Sequence, residues 1–296
     1  MGKTVLITGA SSGIGAEAVK GLLAAGYTVY AGARRVDRMQ SLADAGARLL
    51  SLDVTDDASM TSAVKTILQE AGHIDVLINN AGYGSYGALE DVPLDEALRQ
   101  FDVNLFGLAR LIQLVLPGMR EQRSGRIVNV SSIGGEFGEP FGSWYHATKF
   151  ALEGLSDSLR MELHPFGIDV IVIQPGAILT EWNRIARAGL MKYSGNGAYR
   201  DGARSHIKMM ASADQGSMPS PPSVVAQTLV KAVQARKPKT RYATGGGAQA
   251  MLFLRRVLSD RLLDATMRFA ERQVTKASAS GVGEQVQERR KRGAIC

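Results

Sequence analysis

The 296-residue sequence predicts an α/β domain in which helices cover both faces of a parallel sheet. Three observations carry this prediction. Short, β-branched apolar runs alternate with longer helix-like stretches, the pattern of βαβ units. No repeat of solenoid type interrupts them. The composition, 45% apolar and 21% charged, is that of a folded globular chain and excludes wholesale disorder.

The candidate strands are Thr4–Thr8, Thr28–Ala31, Arg48–Leu52, Val76–Asn79, Arg126–Ser131, Asp169–Gln174 and Arg241–Thr244. Between them, helices are predicted over about 13–25, 36–45, 57–71, 95–119, 144–164 and 223–235. Right-handed crossovers between parallel strands place these helices on both faces. Two regions break the alternation. Residues 177–222 are rich in Gly, Ser, Met and Pro and weakly periodic, and read as a functional lid with helical segments or as a disordered insert within the unit 1–248. Residues 249–276 space Leu254, Leu258, Leu262 and Ala265 as on a basic helix, and 277–296 read as a disordered polar tail.

The net charge of +7 sits mostly at that end. Residues 249–276 hold six basic and three acidic residues, and 277–296 four and two, so the body is nearly neutral. No nucleic-acid partner is expected, despite a pI near 9.6. A single cysteine excludes a disulfide framework, and no His, Cys, Asp or Glu stands at a recognisable metal-ligand spacing in the sequence from His164 or His206, so no metal is expected. No apolar run reaches membrane-spanning length and no targeting pattern is present, which predicts a cytoplasmic protein.

The first motif is Thr8-Gly9-Ala10-Ser11-Ser12-Gly13-Ile14-Gly15, which follows a strand and opens a helix. Such glycines let backbone approach a pyrophosphate, and the helix N-terminus offers free N–H groups and a favourable dipole. At the end of the next strand, Ala33 stands where an NAD-binding unit carries an acid, and Arg34 and Arg35 follow. Guanidinium forks suit a 2′-phosphate, which favours NADP(H) over NAD(H), with Arg34 nearer the strand end. Asp53 either accepts from an adenine amino group or caps the helix starting near Asp56. Asn79-Asn80-Ala81-Gly82 makes a turn past the fourth strand. Tyr145 and Lys149 share a helix face at i and i+4, where the ammonium lowers the phenol pKa for acid–base work. Ser132 lies at the carboxyl end of the fifth strand, the edge at which open α/β sheets bind ligands.

Together these residues, with Asn104 and Pro175-Gly176, resemble the short-chain dehydrogenase/reductase family over roughly residues 3–245. The resemblance implies a Rossmann-like, doubly wound, seven-stranded parallel sheet and hydride transfer between NAD(P)(H) and a carbonyl or alcohol. It makes Tyr145 the proton donor in reduction, Lys149 the residue on the nicotinamide ribose, and Ser132 the residue that orients the substrate oxygen. It makes Asn104 the holder of a relay water. The implied cofactor site is Gly9, Ser11, Ser12, Gly13, Ile14, Gly15, Arg34, Arg35, Asp53, Val54, Asn80, Ala81, Gly82, Tyr145, Lys149, Pro175, Gly176, Ile178 and Thr180. His146 reads as a passenger facing solvent or a neighbour. The favoured reading is NADP(H)-dependent carbonyl reduction; an NAD-dependent alcohol dehydrogenase of the same family and a non-catalytic dinucleotide-binding regulator are the rival readings.

On the substrate side, the loop 134–142 and the lid supply Phe137, Pro140, Phe141, Trp144, Trp182, Leu190, Met191, Tyr193, Met209 and Met210. These suit an apolar carbonyl such as a steroid, retinoid, fatty or aryl compound, or they pack under a long loop. Arg184, Arg187, Lys192, Arg200, Arg204 and Lys208 read as a solvated face. A homodimer or homotetramer paired through helices near 100–118 and 144–164 is expected. The 249–276 helix packs over the entrance or a subunit interface, with peripheral membrane contact as the alternative.

Overall fold

Alternate strand residues point to opposite faces, and both faces of this sheet are buried. Val5 and Ile7 of β1 (Thr4–Thr8) enter one core with Val29 and Ala31 of β2 (Thr28–Ala33), while Leu6 and Tyr30 enter the other. The computed structural model describes residues 2–216 and 218–269. After α1 (Gly13–Ala24), β2 and the short α2 (Gln40–Asp44), the chain forms β3 (Arg48–Ser51), α3 (Asp57–Ala71) and β4 (Val76–Asn79). Then come α4 (Leu94–Phe101), α5 (Gly107–Glu121), β5 (Gly125–Val130), α6 (Ser143–Leu163) and β6 (Ile168–Pro175). The rest is α7 (Glu181–Ser194), α8 (Arg200–Gln215), α9 (Pro222–Gln234), β7 (Arg241–Thr244) and α10 (Ala248–Val257).

All seven strands are parallel, in the order β3-β2-β1-β4-β5-β6-β7. This is the expected Rossmann-like sheet. The order reverses between β1 and β4, so a crevice opens beyond their carboxyl ends. On one face, Val19 and Leu22 of α1 meet Val225, Leu229 and Val233 of α9 over Val76, Ile78 and Ile171. On the other, Val64 and Ile67 of α3, Leu111 and Val115 of α5, and Leu152 of α6 cover Leu77 and Ile127. Each such buried aliphatic side chain contributes roughly 1.5–3 kcal/mol.

The structure departs from the expectation in two helices and gives the segment 177–222 its form. The helix expected over 95–119 contains a wider, π-type turn at Asp102–Phe106. Next to it, Gly107 lies so close to β3's exit that a Cβ there would sit 2.1 Å from the Val54 carbonyl oxygen. Residues 177–222 hold two true helices, α7 and α8, around a small aromatic core of Tyr86, Tyr145, Ala186, Leu190 and Ala203. The single helix expected over 249–276 breaks: Leu258 is extended (φ −95°, ψ 140°), and helix resumes over 260–269 with Leu263 buried. Residues 270–276 and the tail 277–296 lie outside the described residues.

Candidate active site

The crevice at the strand-order reversal is a cleft of about 740 Å³. The Gly-rich turn floors one end. Gly9 (φ 69°) and Gly13 (φ 55°) take left-handed backbone that a side chain would strain. Asn80 ties this turn to β4. Its Nδ2 donates to the Thr8 and Gly9 carbonyls (3.0 and 3.3 Å), and the Asn80 and Ala81 N–H groups donate to Thr8 Oγ1 (3.0 Å each). Ser12 sits at the N-cap of α1 without a side-chain cap bond, and no acid stands in the first turn. The leading amides of α1 therefore face the cleft with a favourable dipole for an anion.

Arg34, Arg35, Asp53 and Val54 line the adenosine end. Arg34 is largely exposed, with Nη1 4.0 Å from Asp53. Arg35 Nη2 lies 3.3 Å from both Ser11 Oγ and Ser12 Oγ. The cap reading of Asp53 fails, because Asp56 caps α3 by accepting from Ala58 and Ser59. Asp53 instead accepts from the Thr55 N–H and hydroxyl. Gly82, Pro175, Gly176, Ile178 and Thr180 continue the wall. Gly15 does not line the cleft, because it closes the turn from behind, where a Cβ would meet the Gly9 carbonyl oxygen at 2.3 Å.

Ser132, Tyr145 and Lys149 converge at the middle of the cleft. Ser132 leaves β5 and accepts from the Gly134 N–H at 3.0 Å. Tyr145 is buried, and its hydroxyl is pushed up to about 12, first by burial, with Ser132 pulling it down by hydrogen bonding and the Glu139 charge pushing it up. Lys149 is pushed down to about 8 by burial, opposed by Glu153. Its Nζ donates to the Val130 carbonyl at 3.0 Å and lies 6.0 Å from the Tyr145 ring centre. The expected lowering of the phenol pKa by Lys149 is therefore not what this arrangement produces: burial wins. Asn104 stands behind the cleft wall. Its Oδ1 accepts from Tyr83 N, and its Nδ2 donates to the Tyr83 carbonyl and Thr148 Oγ1.

His146 is no passenger. It is buried, Nδ1 meets the Gly134 carbonyl at 2.8 Å, and Nε2 accepts from the Glu139 N–H at 3.2 Å. It pins both ends of the loop that follows Ser132. In that loop Phe141 has φ 65°, a strained value for a bulky residue. From outside, Arg255 of α10 donates to the Glu136 carbonyl at 3.0 Å. The basic C-terminal helix thus braces the Ser132 loop.

The substrate end is walled by Tyr83, Tyr86, Phe137, Trp182, Ile185 and Met210, with the Glu139 carboxylate among them. Trp182 packs edge-on to Tyr145 (5.0 Å) and Tyr86 (5.6 Å), and Gly84 makes room for its indole. Trp144 turns instead to Phe101, and Leu190 packs inside the lid. Nor is the lid's cationic row wholly solvated, since Arg187 pairs with Asp214. Tyr86, Glu139 and Glu181 were not found from sequence, because what distinguishes them is contact with residues far along the chain. Glu181 follows the N-cap residue Thr180, so its place in the first turn of α7 is the one local signal that marks it.

Positive side chains, open helix amides and glycine backbone along one cleft fit an elongated, phosphate-bearing dinucleotide. The short chain dehydrogenase family pattern matches residues 3–190. A probable short-chain type dehydrogenase/reductase of Helicobacter pylori is 36% identical over 89% of this chain and 96% of its own length. Human retinol dehydrogenase 8 is 35% identical over 82% of this chain and 81% of its own. A 3-ketodihydrosphingosine reductase of Bacteroides thetaiotaomicron is 45% identical over 58% of this chain and 62% of its own. A short-chain dehydrogenase structure from Streptomyces avermitilis superposes with a TM-score of 0.74 at 33% identity, covering 96% of this chain and 98% of that one. A serine dehydrogenase complexed with NADP+ superposes with a TM-score of 0.70 at 27% identity, covering 80% and 92%. The chain belongs to the short-chain dehydrogenase/reductase family and is an oxidoreductase.

Proposed function

We propose that this chain is an NADP(H)-dependent reductase of apolar carbonyl compounds. The observation that carries the reading is the convergence of the buried Tyr145 phenol, Ser132 and Lys149 at the carboxyl edge of the sheet, where burial raises the phenol's pKa. A phenol that keeps its proton at neutral pH is a proton donor, which is the role reduction requires. Ser132 and Tyr145 would both hydrogen-bond the substrate carbonyl oxygen. When bound, the dihydronicotinamide supplies the hydride that adds to the carbonyl carbon. The Tyr145 proton goes to the developing alkoxide, leaving an alcohol. Lys149, within the same wall, would hold the nicotinamide ribose hydroxyls, and Asn104 would fix the Tyr83 and Thr148 side of that wall.

Arg34 and Arg35, with Ala33 in place of an acid, favour a 2′-phosphate. The serine dehydrogenase's NADP+ supports the same choice. The aromatic and aliphatic substrate end favours an apolar carbonyl, and the names of two relatives, a retinol dehydrogenase and a 3-ketodihydrosphingosine reductase, fit a substrate with a long hydrocarbon part. The exposed apolar side chains Leu98, Phe106 and Phe150 lie on the elements expected to pair in a homo-oligomer. The test is equilibrium binding of NADPH and NADH to the purified protein, then NADPH oxidation with fatty aldehydes, long-chain ketones and aryl ketones. Tighter NADPH binding with turnover of at least one class supports the reading. Preference for NADH, or cofactor binding with no turnover across the panel, counts against it.

A further inference from the structure

Glu181 opens α7 directly after the N-cap Thr180. Its Oε2 lies 3.2 Å from both Nη1 and Nη2 of Arg35, and its Oε1 lies 3.1 Å from Arg38 Nη1. Arg35 also reaches Ser11 and Ser12 in the Gly-rich turn. An anion from the lid therefore already occupies two guanidinium forks at the adenosine end of the cleft. The carboxyl is held below its usual range, first by the Arg35 hydrogen bond. Arg34 stays largely exposed.

An acid at the start of a helix is favoured by the helix dipole alone. Here the same acid spans 146 residues of sequence to neutralise Arg35, one of the two arginines on which cofactor choice rests, and Arg38 beside it. A ribose with a free 2′-hydroxyl leaves these pairs intact. A ribose with a 2′-phosphate brings a second anion to the same arginines and must share or replace the carboxylate. We infer that Glu181 is a specificity-determining residue, a built-in carboxylate that competes with the 2′-phosphate for Arg35 and Arg38 and so restrains the preference for NADP(H). The inference rests on the dinucleotide reading of the cleft given above.

The test uses adenosine 2′,5′-bisphosphate and AMP, which differ only in the 2′-phosphate, titrated calorimetrically into the wild-type protein and the Glu181→Gln variant. Loss of two exposed ion pairs predicts that the variant binds the bisphosphate about 3- to 10-fold more tightly and AMP within about twofold of wild type. In an Arg38→Gln background the gain from Glu181→Gln shrinks, because one of the contested cations is gone. A purely structural role for Glu181 would shift both ligands alike. Equal shifts, no shift, or weaker bisphosphate binding in the variant overturns the role of Glu181 while leaving the cleft as a nucleotide site. Failure of both ligands to bind either protein overturns this inference and the dinucleotide reading together.

Discussion

Replacing Lys149 by methionine is expected to stabilise the protein at neutral pH while removing its function. Lys149 is buried, and its pKa falls from 10.5 to about 8, with burial the leading cause. That drop corresponds to about 3 kcal/mol of penalty on the ammonium at pH 7. Methionine removes the penalty and fills similar volume. It also removes the hydrogen bond to the Val130 carbonyl, which offsets about 1.5–2 kcal/mol. The net expectation is a gain of about 1–1.5 kcal/mol at pH 7. The pH dependence gives the sharper signature. Below about pH 8 both folded and unfolded chains hold this proton, so the penalty is constant. Between about 8 and 10.5 the folded chain has released a proton that the unfolded chain keeps, so wild-type stability gains a rising contribution. The variant lacks that rise, and its advantage fades across the window. Urea unfolding of both proteins at several pH values across the window measures this. A variant less stable at pH 7, or an advantage that does not change with pH, would refute the reasoning.

Tyr145→Phe is expected to lower turnover of a carbonyl substrate by about 10²–10⁴ with cofactor binding retained, the range for a positioned general acid; turnover and NADPH titration check both halves. Glu139→Gln removes the nearby anion that pushes Tyr145 up, so the phenol pKa falls. Comparing tyrosinate absorbance of Glu139→Gln with Glu139→Gln/Tyr145→Phe isolates it, and an unchanged titration would sink the assignment. His146→Ala loses the bonds to Gly134 and Glu139 and leaves a cavity, costing about 2–4 kcal/mol in denaturant unfolding. Arg34→Gln is expected to weaken NADPH about tenfold relative to NADH in equilibrium titrations.

The strands were legible because a doubly covered parallel sheet leaves long apolar runs with little else in them, and β1, β4 and β7 match the expectation residue for residue. The Gly-rich turn and the Tyr145–Lys149 pair were legible because their geometry is local. The π-type turn at Asp102–Phe106 was not, since it comes with a tertiary contact between Gly107 and Val54. His146 was misread for a related reason. Its neighbour Tyr145 faces the cleft, but whether the adjoining helix face meets water or a loop depends on how residues 133–142 fold back. The sequence likewise left Asp53 open between two roles, and only the position of Asp56 at the cap decided it. The expected lowering of the Tyr145 phenol considers charge alone and leaves out burial, the leading influence on that phenol.

The bond from Arg255 to the Glu136 carbonyl has a consequence for biosynthesis. All seven strands and the nucleotide cleft are encoded before residue 245, so a growing chain can assemble them while its end is still being made. The clamp on the Ser132 loop is not yet available at that stage. Its guanidinium arrives some ten residues after β7 and must emerge from the ribosome before it can reach back across the sheet edge. A segment synthesised late therefore completes a loop laid down more than a hundred residues earlier, and full assembly of the reaction centre waits for it.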